Sequence, residues 1–203
     1  MLSEHIFGRI ISRLSKVNMS AVRSGNYSKE DYGAIHKCRE IINSLNIIVD
    51  DEAYNGISDM QARLEKVDNL GMVVVDYLGL MIPWNREPRE SELFESEVLG
   101  MRSIARKFGI PVVFTEQLSK RVERRKGRRP IFDDFDNYVI KNVDVALSLY
   151  REEYYSSAAN KEHEHIAEVN VMLNKHGGIG KIYLEWDGEH MEFHKRGEKN
   201  DEY

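Results

Sequence analysis

The chain has 203 residues and a formal net charge of −5; 41% of its residues are hydrophobic and 31% are charged. This length allows one sizeable core, and a single cysteine, Cys38, excludes an internal disulfide and is typical of a reducing compartment. The chain contains no stretch of 18 apolar residues, so no membrane span is predicted. The first ten residues lack a signal-peptide pattern, and we therefore expect a cytoplasmic protein.

The N-terminal quarter of the chain predicts helices. Apolar residues recur at helical spacing in "LSEHIFGRIISRL", with Ser3 as the N-cap. They recur again in "SKEDYGAIHKCREIINSL", where Ser28 and Asp31 stand three positions apart, as in a capping box. The segment "NIIVDD", residues 46–51, predicts a short strand, and "GISDMQARLEKV" predicts a third helix.

Strands and a helix alternate through the middle of the chain. "MVVVDYL", "IPVVFTE" and "VDVALSLY" predict strands, and "ESELFESEVLGMRSIARKFG" predicts a helix that ends at Gly109. Continuous apolar strands of this kind are typical of an α/β fold, with a mostly parallel sheet and helices on both faces. "IAEVNVML" and "KIYLEWD", joined by "NKHGGIG", predict an antiparallel hairpin, and "HMEFHK" predicts an edge strand. We expect one domain over residues 1–196 and a disordered tail over 197–203.

One acid interrupts an apolar run, because Asp76 follows "MVVV" at the carboxyl end of a predicted strand. Ligands bind at this edge of parallel sheets, and an Asp there is typical of the magnesium site of nucleotide-hydrolysing folds. Glu116, Gln117 and Ser119 follow the next strand at the same edge, where the amide of Gln117 could touch a terminal phosphate or its attacking water. The alternative is a strand that ends in Asp by chance, followed by polar residues that only cap loops.

Positive charge is concentrated in one segment. Residues 120–129, "KRVERRKGRR", contain seven Lys or Arg and one Glu, although the whole chain has 34 acidic and 29 basic residues. The overall charge argues against a generally basic nucleic-acid-binding protein, but a local run of this kind is typical of a phosphate-binding surface. Gly127 and Pro130 predict a loop here. The alternative is a solvated loop that keeps the protein soluble.

Three segments carry a resemblance to a known family: "VVVDYLGLM", "ARKFGIPVVFTEQLSKRVERRKGRRP" and "VDVALSLYREEYY". Their order and spacing resemble the C-terminal motor domain of the bacterial hexameric replicative helicases, the DnaB type. The resemblance implies a RecA-like P-loop NTPase fold, self-association in a hexameric ring, and ATP with Mg²⁺ as cofactors. It also implies movement on single-stranded DNA that unwinds the duplex during replication, with replication proteins as further partners.

The resemblance also implies roles for individual residues. Asp76 stands at the position of the Walker B aspartate, which helps to hold the metal, and Gln117 stands at the glutamine that senses the γ-phosphate. Lys175 stands where the family usually has the arginine finger that reaches into a neighbouring subunit's site. The basic loop matches the segment that holds single-stranded DNA in the central channel, through Arg121, Arg124, Arg125, Lys126, Arg128 and Arg129.

The sequence departs from the family pattern at several positions. The phosphate-binding loop, G-x-x-x-x-G-K-[ST] or Walker A, does not occur in these 203 residues. Met1 matches the position just after the family's catalytic glutamate, so we expect that glutamate, the loop and the N-terminal strand to be missing from this chain. Gly79 replaces a glutamine, Leu173 replaces a lysine, and Asp136 and Asn137 replace an arginine and a glutamate near the DNA. Asp136 is expected to weaken phosphate binding locally.

Two further clusters have weaker interpretations. In "EHEH", residues 162–165, His163 and His165 lie on one side of a predicted strand, but no third metal ligand is near in sequence. "DDFD", residues 133–136, indicates a solvated turn rather than a cation site.

Three functions remain open at this point. The chain is part of a replicative helicase, inactive alone; or a degenerate, non-hydrolysing homologue that acts as a DNA-binding or ring-assembly scaffold; or an interaction module that retains only the fold.

Overall fold

A computed structural model describes residues 2–52, 56–81, 90–118, 120–155 and 164–196. The chain divides into two compact units. The first contains Met1–Asp51, Leu149–Val169 and Lys181–Tyr203, and the second contains Glu52–Ser148 and Asn170–Gly180. The expected tail, residues 197–203, lies outside the described residues.

Helices and strands follow one another in an order close to the predicted one. The helices are α1 (Ser3–Ser15), α2 (Met19–Ser24), α3 (Lys29–Ser44), α4 (Ile57–Leu64), α5 (Glu90–Phe108), α6 (Arg121–Arg124), α7 (Asn137–Asn142) and α8 (Glu152–Tyr155). The strands are β1 (Val73–Val75), β2 (Val112–Phe114), β3 (Val145–Arg151), β4 (Ile166–Asn174), β5 (Gly180–Asp187) and β6 (Glu192–Lys195). Two 3₁₀ turns, Leu78–Met81 and Phe132–Asp134, complete the described elements.

In the first unit, helices α1, α2 and α3 pack together. The predicted capping box of α3 is confirmed, since the Ser28 hydroxyl accepts from the Asp31 N–H and the Asp31 carboxylate accepts from the Ser28 N–H. The predicted cap of α1 is wrong. Leu2 is the N-cap residue, and Ser3 instead donates its backbone N–H to Asp51 Oδ2 at 2.7 Å.

The strand predicted at residues 46–51 is also wrong, because this segment has no regular secondary structure. Its two isoleucines, Ile47 and Ile48, are exposed rather than packed in a sheet. The carboxylate of Asp51, at the end of this segment, accepts the hydrogen bond from the Ser3 N–H at the N-terminus of α1. This hydrogen bond keeps the pKa of Asp51 below its usual value. Asp51, which the sequence pattern assigned to the end of a strand, thus binds the N-terminus of α1 instead.

Strands β3, β4, β5 and β6 form a four-stranded sheet in that order. Strands β5 and β6 are antiparallel, with Trp186 opposite Phe193, and the centroids of these two rings lie 4.5 Å apart. The Arg151 guanidinium lies 5.0 Å from the centroid of the Trp186 ring. Strands β4 and β5 are neighbours joined by the glycine-rich turn, and β6 lies at the edge, so the hairpin and the edge strand are both confirmed.

In the second unit, β1 and β2 form a parallel pair in which Val73, Val74 and Val75 stand opposite Val112, Val113 and Phe114. The core lies on the face that carries Val73, where side chains from α4, α5 and α7 and from the first 3₁₀ turn pack together. Its buried members are Met60, Val73, Leu78, Met81, Val98, Met101, Ile104 and Val139.

The opposite face of this strand pair is apolar and exposed. Val74 is 59% exposed and its register partner Val113 is 48% exposed. Val145 and Leu147 of β3, in the same unit, are exposed as well. Because exposed apolar surface of this kind favours association, we expect further polypeptide to cover this face.

Candidate functional site

The carboxyl end of β1 presents Asp76 to solvent, as the sequence predicted. Strand register explains the neighbours of this carboxylate: Val75 stands opposite Phe114, so Asp76 and Thr115 are the next residues along the two parallel strands. The Thr115 hydroxyl donates to Asp76 Oδ1 at 2.7 Å. Two backbone hydrogen bonds join the same strand ends, from the Thr115 N–H to Val75 O and from the Leu78 N–H to Thr115 O, both 3.0 Å long. Asp76 is therefore held at a rigid edge of the sheet.

Gln117 follows two residues after Thr115, and its side chain is exposed. Its backbone N–H donates to the carboxylate of Glu116 at 3.0 Å. Ser119 lies outside the described residues. Among the residues that the structure describes, no hydrogen bond joins Gln117 to Asp76.

The basic loop begins in α6 and continues to the 3₁₀ turn at Phe132–Asp134. Arg124 and Lys126 have exposed side chains. Arg125 is different, because its guanidinium makes a bidentate ion pair with Asp134 at 2.7 and 2.8 Å. Asp134 is buried, and the Arg125 guanidinium, which donates to it, keeps the pKa of that carboxyl below its usual value. The segment "DDFD" therefore includes a buried anion, which the solvated turn predicted from sequence does not explain.

Asp136, expected from the sequence to weaken phosphate binding, has a local structural role. Its side chain is the N-cap of α7 and accepts hydrogen bonds from the backbone N–H groups of Tyr138 and Val139, at 2.7 and 3.4 Å. Asp is among the preferred N-cap residues for this reason. Asp136 is thus an acid whose side chain caps the start of a helix.

Lys175 lies in the turn between β4 and β5, beside the end of α7. Its ammonium donates to the backbone carbonyl of Lys141 at 3.3 Å and lies 3.8 Å from Asp144 Oδ1. Its backbone N–H also donates to Asp144 O at 3.0 Å. Asn174 shapes the same turn, because its side chain accepts from the His176 N–H and donates to Gly178 O. Lys175 is therefore held against its own unit in this conformation.

Candidate cation ligands in the sequence are Asp76 and the segments "EHEH" and "DDFD". Within the described parts of the chain, no three His, Cys, Asp or Glu side chains are grouped as a metal site, and His163 of "EHEH" lies outside those parts. The Asp76 carboxylate and the Thr115 hydroxyl are hard oxygen donors at an exposed edge, which is the ligand chemistry that Mg²⁺ prefers in nucleotide sites.

Residues 1–195 match the protein family described as "DnaB-like helicase C terminal domain". The chain belongs to this family. A probable replicative DNA helicase of Trieres chinensis is 31% identical over 205 residues, which cover 95% of this chain and 44% of the relative. The replicative DNA helicase DnaB of Geobacillus stearothermophilus is 27% identical and is covered to 43%. This DnaB-like domain therefore spans less than half the length of these relatives.

Solved structures show the same fold. One of them, the structure of an ATPase domain, superposes with a TM-score of 0.87 at 24% identity, over 96% of this chain and 71% of the other. "The Structure Of A DnaB-Like Replicative Helicase And Its Interactions With Primase" gives the same TM-score and identity, over 48% of that chain. The DnaB-like domain thus has the RecA-like fold that its sequence motifs predicted. None of its described helices is long and apolar enough to cross a membrane.

The sequence predictions for this region missed one residue, Thr115, and one pairing, that of Arg125 with Asp134. Thr115 could have been found, because a parallel register that aligns the two predicted strands puts it next to Asp76. The pairing of Arg125 with Asp134 had no such signal, because it depends on how the loop folds between them.

Proposed function

We propose that this DnaB-like domain is part of a replicative DNA helicase and works with a phosphate-binding loop from outside these 203 residues. The observation that carries the proposal is the contact between Asp76 and Thr115 at the carboxyl edge of β1 and β2. From this edge the chain runs through Gln117 into the basic loop within a few residues. A nucleotide-sensing edge and a DNA-binding loop are thus joined by one short segment, which is what coupling of hydrolysis to movement requires.

At the nucleotide end, Asp76 would hold Mg²⁺ directly or through water, with Thr115 fixing the orientation of its carboxylate. The ion supplies neutralisation of phosphate charge when it is bound with ATP. The exposed carboxamide of Gln117 would contact the terminal phosphate or orient the attacking water. This chain would therefore supply the sensing half of the nucleotide site.

At the DNA end, the basic loop would bind the phosphates of single-stranded DNA. Residues 120–129 contain no aromatic residue on which bases can stack, so their binding would have little sequence preference. In a hexameric ring the six loops would act as linked sites, and affinity would depend on assembly.

Lys175 would act in a neighbouring subunit's nucleotide site. Its present contacts with Lys141 and Asp144 are partly exposed, and exposed ion pairs contribute only about 0–1 kcal/mol. Release of the ammonium toward a neighbour's phosphate would therefore cost little.

A non-hydrolysing scaffold is the second candidate. These 203 residues contain no G-x-x-x-x-G-K-[ST], which agrees with both candidates, so the experiment below is what separates them. In either case we place the protein in the cytoplasm among replication proteins, and the primase named with one structural neighbour identifies a class of partner to test.

The test is a fusion that supplies the missing part. A segment carrying the family's strand, phosphate-binding loop and catalytic glutamate is joined to Met1, and ATP hydrolysis is measured with and without oligo-dT. The helicase proposal predicts DNA-stimulated turnover that Asp76→Ala and Gln117→Ala both remove. A folded fusion that binds oligo-dT without any turnover contradicts it and supports the scaffold.

A further inference from the structure

Arg125 and Asp134 close the basic loop on itself. The Arg125 guanidinium donates to Asp134 Oδ2 from Nη1 at 2.8 Å and to Oδ1 from Nη2 at 2.7 Å. Nη1 also donates to the carbonyl of Arg129 at 2.8 Å. On the other side, Asp134 Oδ2 accepts from the Ile131 N–H at 2.8 Å. The two side chains therefore bind each other in the fork geometry that gives Arg–carboxylate pairs their specificity. Each also binds one backbone group of the segment between them, the Arg129 carbonyl or the Ile131 N–H.

The backbone between the two partners follows a tight path. The Arg128 N–H donates to Arg125 O at 3.1 Å, and Gly127 and Arg128 both have positive φ, of 85° and 50°. Only glycine adopts this region without cost, so the conformation of Arg128 depends on surrounding contacts that hold it. Arg125 supplies contacts on both sides of this turn, because its carbonyl accepts from the Arg128 N–H and its Nη1 donates to the Arg129 carbonyl.

Burial separates this pair from an ordinary surface ion pair. The Asp134 side chain is 2% exposed, while the Arg125 side chain is 33% exposed. A buried carboxylate that loses its bidentate cation is strongly unfavourable, because the charge is left without compensation away from solvent. The Arg125 guanidinium and the Ile131 N–H both lower the pKa of Asp134, so the carboxylate stays charged and the pair stays closed at neutral pH.

We propose that Arg125 is a positioning residue, and that its ion pair with Asp134 holds the basic loop in the conformation that presents its other cations to a phosphate backbone. This inference deepens the proposed function and rests on its DNA-binding part. The sequence prediction grouped Arg125 with the phosphate-contacting residues. Its two terminal nitrogens are instead directed to Asp134 and Arg129, and exposed neighbours such as Arg124 and Lys126 would make the contacts.

The positioning role and a simple charge effect predict opposite changes in DNA affinity for one substitution, Asp134→Asn. If only net charge mattered, Asp134→Asn would remove a negative charge beside the loop and tighten DNA binding. The positioning role predicts the reverse, because the substitution opens the loop. Asp133 offers a matched control, since it is adjacent and exposed, so Asp133→Asn removes the same charge without the bidentate pair. Arg125→Lys is a second variant that keeps the charge and loses the fork.

The experiment measures binding of fluorescein-labelled oligo-dT by the full 203-residue chain, by anisotropy over a range of salt concentrations. Each phosphate contact on a single strand contributes about −0.7 to the slope of log affinity against log salt. Asp134→Asn and Arg125→Lys are each expected to reduce the magnitude of the slope by about 0.7 or more, one contact at least. Asp133→Asn is expected to keep or tighten binding. Equal tightening by both Asn variants overturns the proposal.

Trypsin cleavage within residues 124–129 is the second measurement, and it does not depend on DNA. The loop is expected to be cut faster in Asp134→Asn and Arg125→Lys than in Asp133→Asn, with circular dichroism showing that each variant is folded. Equal cleavage rates in folded variants overturn the ion pair's role even if DNA binds. Failure of every form to bind oligo-dT overturns the DNA-binding part of the proposed function and the positioning role with it, whatever the cleavage rates.

Discussion

Thr115 and Asp76 face each other at the ends of two parallel strands, with the threonine hydroxyl donating to the carboxylate at 2.7 Å. The contact follows from the register that pairs Val75 with Phe114. It orients one carboxylate oxygen and leaves Asp76 exposed at the edge where RecA-like folds bind nucleotide. The metal-binding role proposed for Asp76, in 203 residues that contain no phosphate-binding loop motif, has consequences that can be measured.

The chain alone is expected to show no ATP hydrolysis above background. Positioning and charge neutralisation provide nearly all of the catalysis of phosphoryl transfer, and the phosphate-loop lysine is absent. Phosphate release should be the same for the wild-type chain and for Asp76→Ala. Turnover that Asp76→Ala abolishes would show that another part of this sequence replaces the loop.

The exposed face of β1 and β2 is expected to cause self-association. Val74 and Val113 stand opposite each other with about half of each side chain in solvent, and burying such surface is favourable by roughly 25 cal/mol per Å². Sedimentation velocity should show a concentration-dependent shift to larger species, and Val74→Thr with Val113→Thr should reduce it. Ile48→Thr, at an exposed isoleucine outside any strand, is the control and should leave association unchanged. A wild-type monomer at all concentrations contradicts the prediction.

Gly100 is expected to be required by the packing of α4 on α5. A Cβ at this position would lie 2.3 Å from Ile57 Cγ1, far inside contact distance. Gly100→Ala should therefore destabilise the protein by about 1–3 kcal/mol, measured by urea denaturation, and adding Ile57→Ala, which removes the three contacting carbons, should recover part of the loss. Gly33 of α3 has open space around it, so Gly33→Ala should stabilise by roughly 0.5–1 kcal/mol. Equal effects at the two glycines contradict the explanation.

Glu97 is expected to make stability fall as pH rises. The residue is 6% exposed, Oε2 has no hydrogen-bond partner, and burial raises the pKa of its carboxyl. Because the folded state holds this proton more tightly, the contribution to stability is complete below the unfolded pKa of about 4.3 and is lost as pH rises through the folded pKa.

Glu97→Gln removes that titration. We expect a melting temperature a few degrees higher than the wild type at pH 7, which corresponds to about 1 kcal/mol in a chain of this size, and no difference at pH 4. Glu40→Gln, at an exposed glutamate of α3, is the control and should change neither value. A loss of stability at pH 7 in Glu97→Gln would show that the ionised carboxylate has a favourable partner.

The sequence predicted those parts of the fold that depend on local pattern. Apolar periodicity located α1, α3, α4 and α5, and the capping box of Ser28 and Asp31 marked the start of α3 correctly. Apolar runs with turn residues located β1 to β6. The position of Asp76 at a strand end followed from the same reasoning, because a strand boundary is itself a local feature.

Parts that depend on distant partners were not predictable. The segment at residues 46–51 has the composition of a strand, but Asp51 is used to bind the N-terminus of α1, 48 positions away in sequence. The short helices α2, α6, α7 and α8 have too few residues to show a period. The burial of Asp134 could not be predicted either, because it depends on the pairing with the Arg125 guanidinium. An acid in an acidic, polar run is otherwise expected to be solvated.

The central claim is that the basic loop binds the phosphates of single-stranded DNA, and the salt dependence of oligo-dT binding by the 203-residue chain tests it most directly. With acidic residues close behind the loop, we expect about two or three phosphate contacts and a slope of log affinity against log salt near −2. Replacing Arg124, Lys126 and Arg128 together by Ala should reduce the slope to a magnitude below about 1. Binding that survives this triple substitution with an unaltered slope would contradict the account and leave the loop as a solubilising surface.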